Sequence, residues 1–276
     1  MTDLEALQQT ALRIREHILT MGTAPSGTHV GGSLSVTDIL TALYFHVLRL
    51  RPDEPDWPER DYLILSKGHA SAALYATLAE RGFFPVAELT TYARTGGRLW
   101  AHPTTSVPGV EFPTGSLGHG LGLGIGLALA AQRDGRANRT FVVLGDGELQ
   151  EGSVWESIMA AAHLKLDHLI AIVDRNRLQI SGRTEQRMHL EPLLDRWQSF
   201  GWRGEQVDGH DLAALIQTLE RAPAEQQRPT VLIAQTVKGR GVAFMEDRKK
   251  SHHVTLSAEL HRRACRELHH GEAVEP

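Results

Sequence analysis

Residues 144–182 constrain the fold of this chain more than any other stretch. An apolar strand ends in Gly145-Asp146-Gly147, a Glu-rich turn and a helix follow, and a second apolar strand ends at Asn176. Glycines let the backbone approach a phosphate closely, and the N–H groups at a helix start favour an anion. Because both turns follow strands, the Asp and Asn side chains would lie at one sheet edge. With a loop carbonyl and diphosphate oxygens, they suit octahedral Mg²⁺.

Elsewhere the sequence alternates continuous apolar runs with helical patterns. This alternation predicts a parallel α/β sheet with helices on both faces, in which ligands bind at the carboxyl ends of the strands. His69 follows one of these strands, so we expect it at the same edge as Asp146 and Asn176. The predicted strands comprise residues 62–65, 141–144, 168–173, 203–207 and 230–236.

A helix is predicted to begin near Ser35. This residue, with Asp38 three positions later, looks like a capping box, and the glycines of residues 21–32 would separate the new helix from the preceding one. The helix would run to about residue 50. Because the sequence contains no repeat or linker, we expect one domain over residues 1–276 with frayed ends.

Composition argues against several classes of partner. The net charge of −4 gives no reason to expect nucleic acid, and no apolar run approaches the ~20 residues of a membrane span. The single cysteine, Cys265, excludes a disulfide framework and suits a reducing cytosol. No apolar export-signal core is seen at the N-terminus, so we expect a cytoplasmic protein.

Histidine is unusually frequent, with 15 residues, and several of them stand in Gly-rich turns.

The distance between the GDG turn and Asn176 narrows the interpretation. Residues 148–175 separate them, which suits a strand, a turn, a helix and a neighbouring strand. This arrangement resembles the diphosphate and Mg²⁺ motif of thiamine diphosphate enzymes. Several blocks, spread over roughly residues 5–255, resemble transketolase in particular: SKGHAS at 66–71, GSLG at 115–118, GDGELQEG at 145–152, IVDRN at 172–176 and VKGRGV at 237–242.

The resemblance implies roles for residues at matching positions. Asp146 and Asn176 correspond to the side-chain ligands of Mg²⁺, and Leu178 to the residue that supplies a backbone carbonyl. Gly147 corresponds to a glycine whose N–H contacts the diphosphate, and Glu151 to an interface glutamate that couples two active sites. The other residues that the resemblance places at the cofactor are Gly115, Ser116, Leu117, Gly145, Glu148, Ile180 and Lys238.

Histidines are implied to handle protons and alkoxides. His69 corresponds to a histidine near the diphosphate and the reacting carbons, and His29 and His102 to histidines that contact substrate oxygens. Either His252 or His253 corresponds to the tail histidine. Structural roles stay open, since His69 could cap a helix, His102 could be a loop residue, and the SGTHVG sequence at 26–31 departs from the family pattern SGHPG.

The resemblance also implies that this chain is one half of an enzyme. A full transketolase is more than twice as long and carries a pyrimidine-binding domain, which supplies the glutamate that activates the cofactor. We therefore expect the N-terminal subunit of a split transketolase, working in an α₂β₂ assembly with a separate pyrimidine-binding subunit. The assembly would transfer a two-carbon ketol unit from a ketose phosphate to an aldose.

Three other interpretations are kept. The first is a specialised ketol- or acyl-transferring enzyme for sulfosugars or secondary metabolites, because the loop at 26–31 and the tail at 251–253 are unusual. The second is the α subunit of a 2-oxoacid dehydrogenase or decarboxylase, which the SKGH and LQEG runs disfavour. The third is a degenerate, non-enzymatic paralogue, which the intact Asp146, Asn176 and His69 disfavour.

Overall fold

A computed structural model describes residues 3–222 and 227–270. Its strands are β1 (Tyr62–Leu65), β2 (Thr140–Gly145), β3 (Leu169–Arg175), β4 (Leu178–Gln179), β5 (Gly182–Arg183), β6 (Arg203–Asp208) and β7 (Thr230–Gln235). Its helices are α1 (Leu4–Met21), α2 (Val30–Ala42), α3 (Ser71–Arg81), α4 (Gly120–Arg133), α5 (Gly152–His163), α6 (Thr184–Arg187), α7 (Leu193–Ser199), α8 (Leu212–Arg221) and α9 (Ala258–His270). The predicted frayed ends concern residues 1–2 and 271–276, which lie outside the described residues.

Within the described part of the chain, five parallel strands form the central sheet, in the order β1-β2-β3-β7-β6. The predicted parallel α/β fold is therefore confirmed, and each of the five strands lies within two residues of its predicted position. Since the strands are parallel, the turns after β1, β2 and β3 all leave the sheet at the same edge. This topology agrees with the expectation that His69, Asp146 and Asn176 lie at one edge of the sheet.

Alternate side chains of β1, β2, β3 and β7 enter two separate cores. Phe141 and Val143 of β2 pack with α1, α2, α3 and α8 on one face. Val142 and Leu144 pack on the other face with α4, α5 and α7, where Trp197 is fully buried. Helices therefore cover both faces, which explains why the strands carry unbroken apolar runs. Within the described residues, no helix combines the length and the apolar character needed to cross a bilayer.

The prediction for the start of α2 was wrong. The helix begins at Val30 and ends at Ala42, followed by a π-helical turn at Leu43–Val47, so Ser35 lies inside it. Gly22 and Gly27 do lie in the predicted break between α1 and α2, whereas Gly31 lies inside α2 and serves close packing, because a Cβ there would lie 2.5 Å from the Ser251 hydroxyl. This packing fixes His29, the residue before the helix, at the sheet edge.

Candidate active site

A cavity of about 360 Å³ opens at the carboxyl ends of β1, β2 and β3. It collects residues that are far apart in sequence but follow neighbouring strands, as expected for a parallel sheet. Most of the predicted site residues line it. The lining residues predicted from the sequence are His29, His69, Gly115, Leu117, Gly145, Asp146, Gly147, Glu148, Glu151, Asn176, Leu178, Ile180, Lys238 and His252. Ser116, His102 and His253 are predicted site residues outside this lining.

Asp146 is held in one orientation at the floor of the cavity. One carboxylate oxygen accepts from the N–H of Gly147 at 2.8 Å, and the other accepts from the Arg175 guanidinium at 3.1 Å and from the N–H of Arg177. Burial raises the pKa of Asp146, and Arg175 opposes this shift only in part. The Gly147 N–H that was predicted to contact diphosphate is therefore engaged by its own neighbour in this structure.

Asn176 and Leu178 bring two more oxygens to the cavity. The Asn176 side-chain oxygen accepts from the Leu178 N–H at 3.1 Å, which holds the turn after β3. The Leu178 carbonyl accepts from the Lys238 ammonium at 3.1 Å. A carboxylate, an amide oxygen and a backbone carbonyl thus face one space, and these are the ligand types that Mg²⁺ prefers.

Lys238 supplies positive charge to the cavity. Its ammonium contacts the Leu178 carbonyl and lies 2.9 Å from Nδ1 of His252, and it has no carboxylate partner among residues 3–222 and 227–270. Burial and the nearby Lys67 lower the pKa of Lys238 to about 8. An anion in the cavity would supply the counter-charge that this buried ammonium otherwise lacks.

The turn after β2 has the predicted order of GDG, Glu-containing turn and helix. The turn is a 3₁₀ turn at Gly147–Gln150, and α5 begins at Gly152. Glu148 stabilises this turn: its buried carboxylate accepts from the N–H groups of Gly145 at 3.0 Å and Gly118 at 2.9 Å. Glu148 therefore fixes the turn, and burial raises its pKa.

A second buried ion pair supports the cavity from below. The ammonium of Lys67 contacts the carboxylate of Asp174, and both side chains are almost completely buried. Ser35 also donates to Asp174 at 2.6 Å, which explains its place inside α2. Burial acts to raise the pKa of Asp174, but the Lys67 charge and these hydrogen bonds outweigh it, so the pKa lies below its usual value.

Histidines form a cluster around His29. Its ring centroid lies 5.2 Å from that of His69, 6.2 Å from His102, 5.3 Å from His252 and 4.8 Å from His253. All five predicted histidines are therefore brought together. His252 lines the cavity and contacts Lys238, whereas His253 is exposed and touches the cluster only from outside. The geometry favours His252 over His253 as the tail histidine of the site.

Burial and nearby positive charges lower the pKa of the three histidines that line the cavity, His29, His69 and His252. Burial, then His253, His102 and two lysines, lower the pKa of His29 to about 4. Burial and Lys238 lower the pKa of His252 to about 3, and burial and Lys67 hold the pKa of His69 well below its usual value. A neutral imidazole can both accept and donate a proton, which suits steps that make and consume alkoxides.

Thr28, the residue that interrupts the expected loop pattern, has a clear structural task. Its hydroxyl lies 2.6 Å from the hydroxyl of Tyr92, and its backbone pairs with Val254 through hydrogen bonds of 2.9 and 3.0 Å. This pairing ties the tail that carries His252 to the loop that carries His29. The unusual sequence at 26–31 therefore helps to hold His29 and His252 close together.

Some residues in the sequence blocks that resemble transketolase were not assigned a role from the sequence. Arg175 and Lys67 stood inside the matching blocks, yet only the structure reveals their buried contacts with Asp146 and Asp174. Gln179 also lines the cavity. A lysine and an arginine at the ends of apolar strands could have signalled buried ion pairs, because a buried charge requires a partner.

The arrangement fits thiamine diphosphate with Mg²⁺. Two buried polar atoms in the cavity wall, Nδ1 of His29 and the side-chain oxygen of Gln179, lack hydrogen-bond partners in the described part of the chain. Lys238 suits a diphosphate. Over the same residues, no group of three or more His, Cys, Asp or Glu could hold a metal, so Asp146, Asn176 and the Leu178 carbonyl would bind Mg²⁺ together with diphosphate oxygens.

Comparison with known proteins agrees with this geometry. Residues 9–270 match the family described as "Transketolase, thiamine diphosphate binding domain". The chain is 44% identical over 241 residues to a 6-deoxy-6-sulfo-D-fructose transketolase subunit of Clostridium sp. (strain MSTE9), covering 87% of this chain and 88% of that protein. It is 43% identical over 265 residues to an apulose-4-phosphate transketolase subunit of Phocaeicola vulgatus, covering 96% of this chain and 94% of that protein.

A solved structure extends the comparison to the fold. The chain superimposes on transketolase from Campylobacter jejuni with a TM-score of 0.91 and 31% identity, covering 97% of this chain but 43% of that one. It therefore spans less than half the length of this solved transketolase. The matched family, the relatives and the shared fold establish that this chain belongs to the transketolase family and corresponds to its thiamine diphosphate-binding domain.

Proposed function

We propose that this chain is the diphosphate-binding subunit of a two-chain transketolase. The enzyme transfers a two-carbon ketol unit from a ketose, in the simplest case a ketose phosphate, to an aldose. The observation that carries this proposal is one cavity that holds Asp146, Asn176, the Leu178 carbonyl and Lys238 together with the neutral histidines His29, His69 and His252.

Thiamine diphosphate, when bound, supplies the carbanion chemistry of the reaction. The residues of this chain then bind, orient and move protons. Asp146, Asn176 and the Leu178 carbonyl hold Mg²⁺ and thereby the diphosphate, and Lys238 adds positive charge. His69, His29 and His252 line the cavity, where a neutral imidazole hands protons to substrate oxygens and takes them back.

The proposal includes a second chain because, among the residues that the structure describes, the acids lining this cavity leave no suitable free carboxylate for the cofactor's pyrimidine ring. Asp146 is engaged by Arg175 and Glu148 by two backbone N–H groups. Glu151 is exposed at the start of α5 and is assigned to the interface. A carboxylate from a pyrimidine-binding subunit would complete the site.

Exposed apolar side chains support the assembly. Ile180 at the cavity wall is 65% exposed, and Met188 and Trp100 are also exposed. Burying such residues is favourable, so we assign this rim to the partner subunit. On α5, Met159 is exposed and Trp155 half-buried, and we assign this face to a second copy of the chain, giving α₂β₂. The single cysteine, Cys265, supports a cytoplasmic location for the assembly.

A specialised sugar is the second candidate substrate. One relative is named for 6-deoxy-6-sulfo-D-fructose and the other for apulose 4-phosphate, and their identities to this chain are 44% and 43%. These nearly equal values favour neither sugar over the other. Membership of the transketolase family argues against the 2-oxoacid dehydrogenase interpretation, and the intact cavity argues against a degenerate paralogue.

The test is reconstitution. The chain is purified alone and together with its candidate partner, and ketol transfer is assayed with thiamine diphosphate and Mg²⁺ on xylulose 5-phosphate, a sulfonated ketose and apulose 4-phosphate. We expect activity only when both chains are present. Full activity of this chain alone would refute the two-chain proposal, and the preferred donor would decide between the substrates.

A further inference from the structure

We propose that Arg175 is a positioning residue that fixes the carboxylate of Asp146 for cofactor binding. Two glutamates neutralise the positive charge of Arg175. The inference rests on the proposed function, because it requires Asp146 to hold Mg²⁺ beside thiamine diphosphate. Arg175 is not among the described residues that line the cavity, so it acts on the cofactor site through Asp146.

The two terminal nitrogens of Arg175 bridge four side chains, whereas its buried Nε has no hydrogen-bond partner in the described part of the chain. The Arg175 side chain is 1% exposed. One terminal nitrogen donates to Asp146 at 3.1 Å and to the Thr184 hydroxyl at 2.7 Å, and the other donates to Glu185 at 2.9 Å and to Glu191 at 2.8 Å. The planar, forked guanidinium can reach all four partners at once, which a single ammonium could not do.

The charges around Arg175 explain how it can orient Asp146 without cancelling it. One positive charge meets three carboxylates, so the group carries a net charge of −2. Glu185 and Glu191 lie on the outer side and are partly exposed, whereas Asp146 lies inside. The outer acids satisfy the guanidinium, and Asp146 keeps its negative charge for a cation in the cavity.

The same bridge connects the cavity floor with the segment after the β4–β5 hairpin. Glu185 also accepts from the Leu190 N–H at 3.2 Å, and Glu191 accepts from the Leu193 N–H at 2.9 Å, where α7 begins. Arg175 therefore ties residues 184–193 to the end of β3. Loss of Arg175 would leave Asp146 with only the backbone N–H groups of Gly147 and Arg177 as donors, and would release this segment from the end of β3.

The experiment measures Mg²⁺-dependent binding of thiamine diphosphate to the full chain, alone and with its partner subunit, by titration calorimetry. We expect Arg175→Met to raise the apparent Kd for Mg²⁺ by roughly tenfold or more, the range seen when residues that orient metal ligands are removed. Arg175→Lys should recover part of this loss, because an ammonium can keep the Asp146 contact. Unchanged Mg²⁺ affinity in Arg175→Met would overturn the inference.

A second variant protects the test against misfolding. The double change Glu185→Gln and Glu191→Gln keeps Arg175 but removes its outer counter-charges, so the guanidinium would neutralise Asp146 and Mg²⁺ binding should again weaken. Wild-type affinity in this variant would contradict the charge argument. Arg60→Met, which removes the largely buried Arg60–Glu111 pair away from the cavity, is the matched control and should leave Mg²⁺ affinity unchanged. Failure of the wild-type chain to bind thiamine diphosphate would instead refute the proposed function.

Discussion

The carboxylate of Glu148 accepts a hydrogen bond from the backbone N–H of Gly118 at 2.9 Å. The same carboxylate accepts from Gly145 at 3.0 Å and from the hydroxyl of Ser66. One buried side chain thus joins the turns that follow β1 and β2 to the loop that leads into α4. The cavity keeps its shape because these three segments are held at one point.

Replacement of Glu148 tests this role. In Glu148→Gln the amide group would face N–H donors with an N–H of its own, leaving at least one buried donor without an acceptor. We expect the free energy of unfolding to fall by about 1–3 kcal/mol, measured by urea denaturation. Glu156→Gln, at an exposed position of the nearby α5, is the control and should be close to neutral. Equal stability of both variants would contradict the role of Glu148.

Lys67 should be among the most costly residues to remove. In Lys67→Met the carboxylate of Asp174 stays buried without its ionic partner, and breaking a buried pair in this way costs about 3–5 kcal/mol. Arg51→Met breaks the exposed pair with Glu54, which should cost about 0–1 kcal/mol. Thermal and urea unfolding of the two variants measure the difference. Similar decreases in the free energy of unfolding would show that the buried pair stabilises the fold no more than the exposed pair.

Stability should fall in acid because of the histidine cluster. Unfolded histidine titrates near 6.5, whereas the pKa of folded His29 is about 4. Between pH 6.5 and 4 the unfolded chain therefore binds a proton that the folded chain does not, so the free energy of unfolding decreases as the pH falls through this window. Above it, the full stability is present. The groups that face His29 are His69, His102, His252, His253, Lys67 and Lys238.

Urea unfolding at several pH values checks this prediction. His29→Asn should make the dependence on pH shallower between 4 and 6.5. His163→Asn, at an exposed position at the end of α5, should leave the slope of the wild type. An identical slope in both variants would mean that His29 is not held neutral by its surroundings.

Gly115 should control the position of His102. Gly115 has φ of +147°, and a Cβ there would lie 2.7 Å from the His102 ring. Gly115→Ala should therefore displace the ring, and a misplacement of about 1 Å can lower kcat on the order of 100-fold. Because Gly115 also lines the cavity and was predicted to lie at the cofactor, the affinity for thiamine diphosphate is measured alongside kcat. Steady-state kinetics of the reconstituted enzyme, compared with cofactor titration, separate the two effects. A kcat equal to that of the wild type would contradict this role of Gly115.

The sequence predicted the sheet well because its strands are buried on both faces. Continuous apolar runs placed β2, β3 and β7, and their shared direction brought Asp146 and Asn176 to one edge. The start of α2 was missed because Gly31 was interpreted as a helix break. A glycine is required at position 31 because Ser251 packs too closely for a larger side chain. This constraint comes from tertiary packing and cannot be read from the local sequence.

The site was predictable to the extent that its residues stand in motifs. Asp146, Asn176 and Lys238 were found from spacing and resemblance, and the structure places them in one cavity. The side chains that orient these residues were not found from the sequence. Arg175 and Lys67 act through partners in other parts of the chain, and the choice between His252 and His253 depends on which ring faces the cavity. These are properties of the packed chain.

The central claim is that Asp146 anchors thiamine diphosphate through Mg²⁺. The most direct measurement is the binding of thiamine diphosphate to the full chain and to Asp146→Ala, each with Mg²⁺ and with EDTA, by titration calorimetry in the presence of the partner subunit. We predict that the wild type binds only with Mg²⁺ and that Asp146→Ala loses this Mg²⁺-dependent binding while remaining folded by circular dichroism. Binding of equal strength by both proteins would contradict the account.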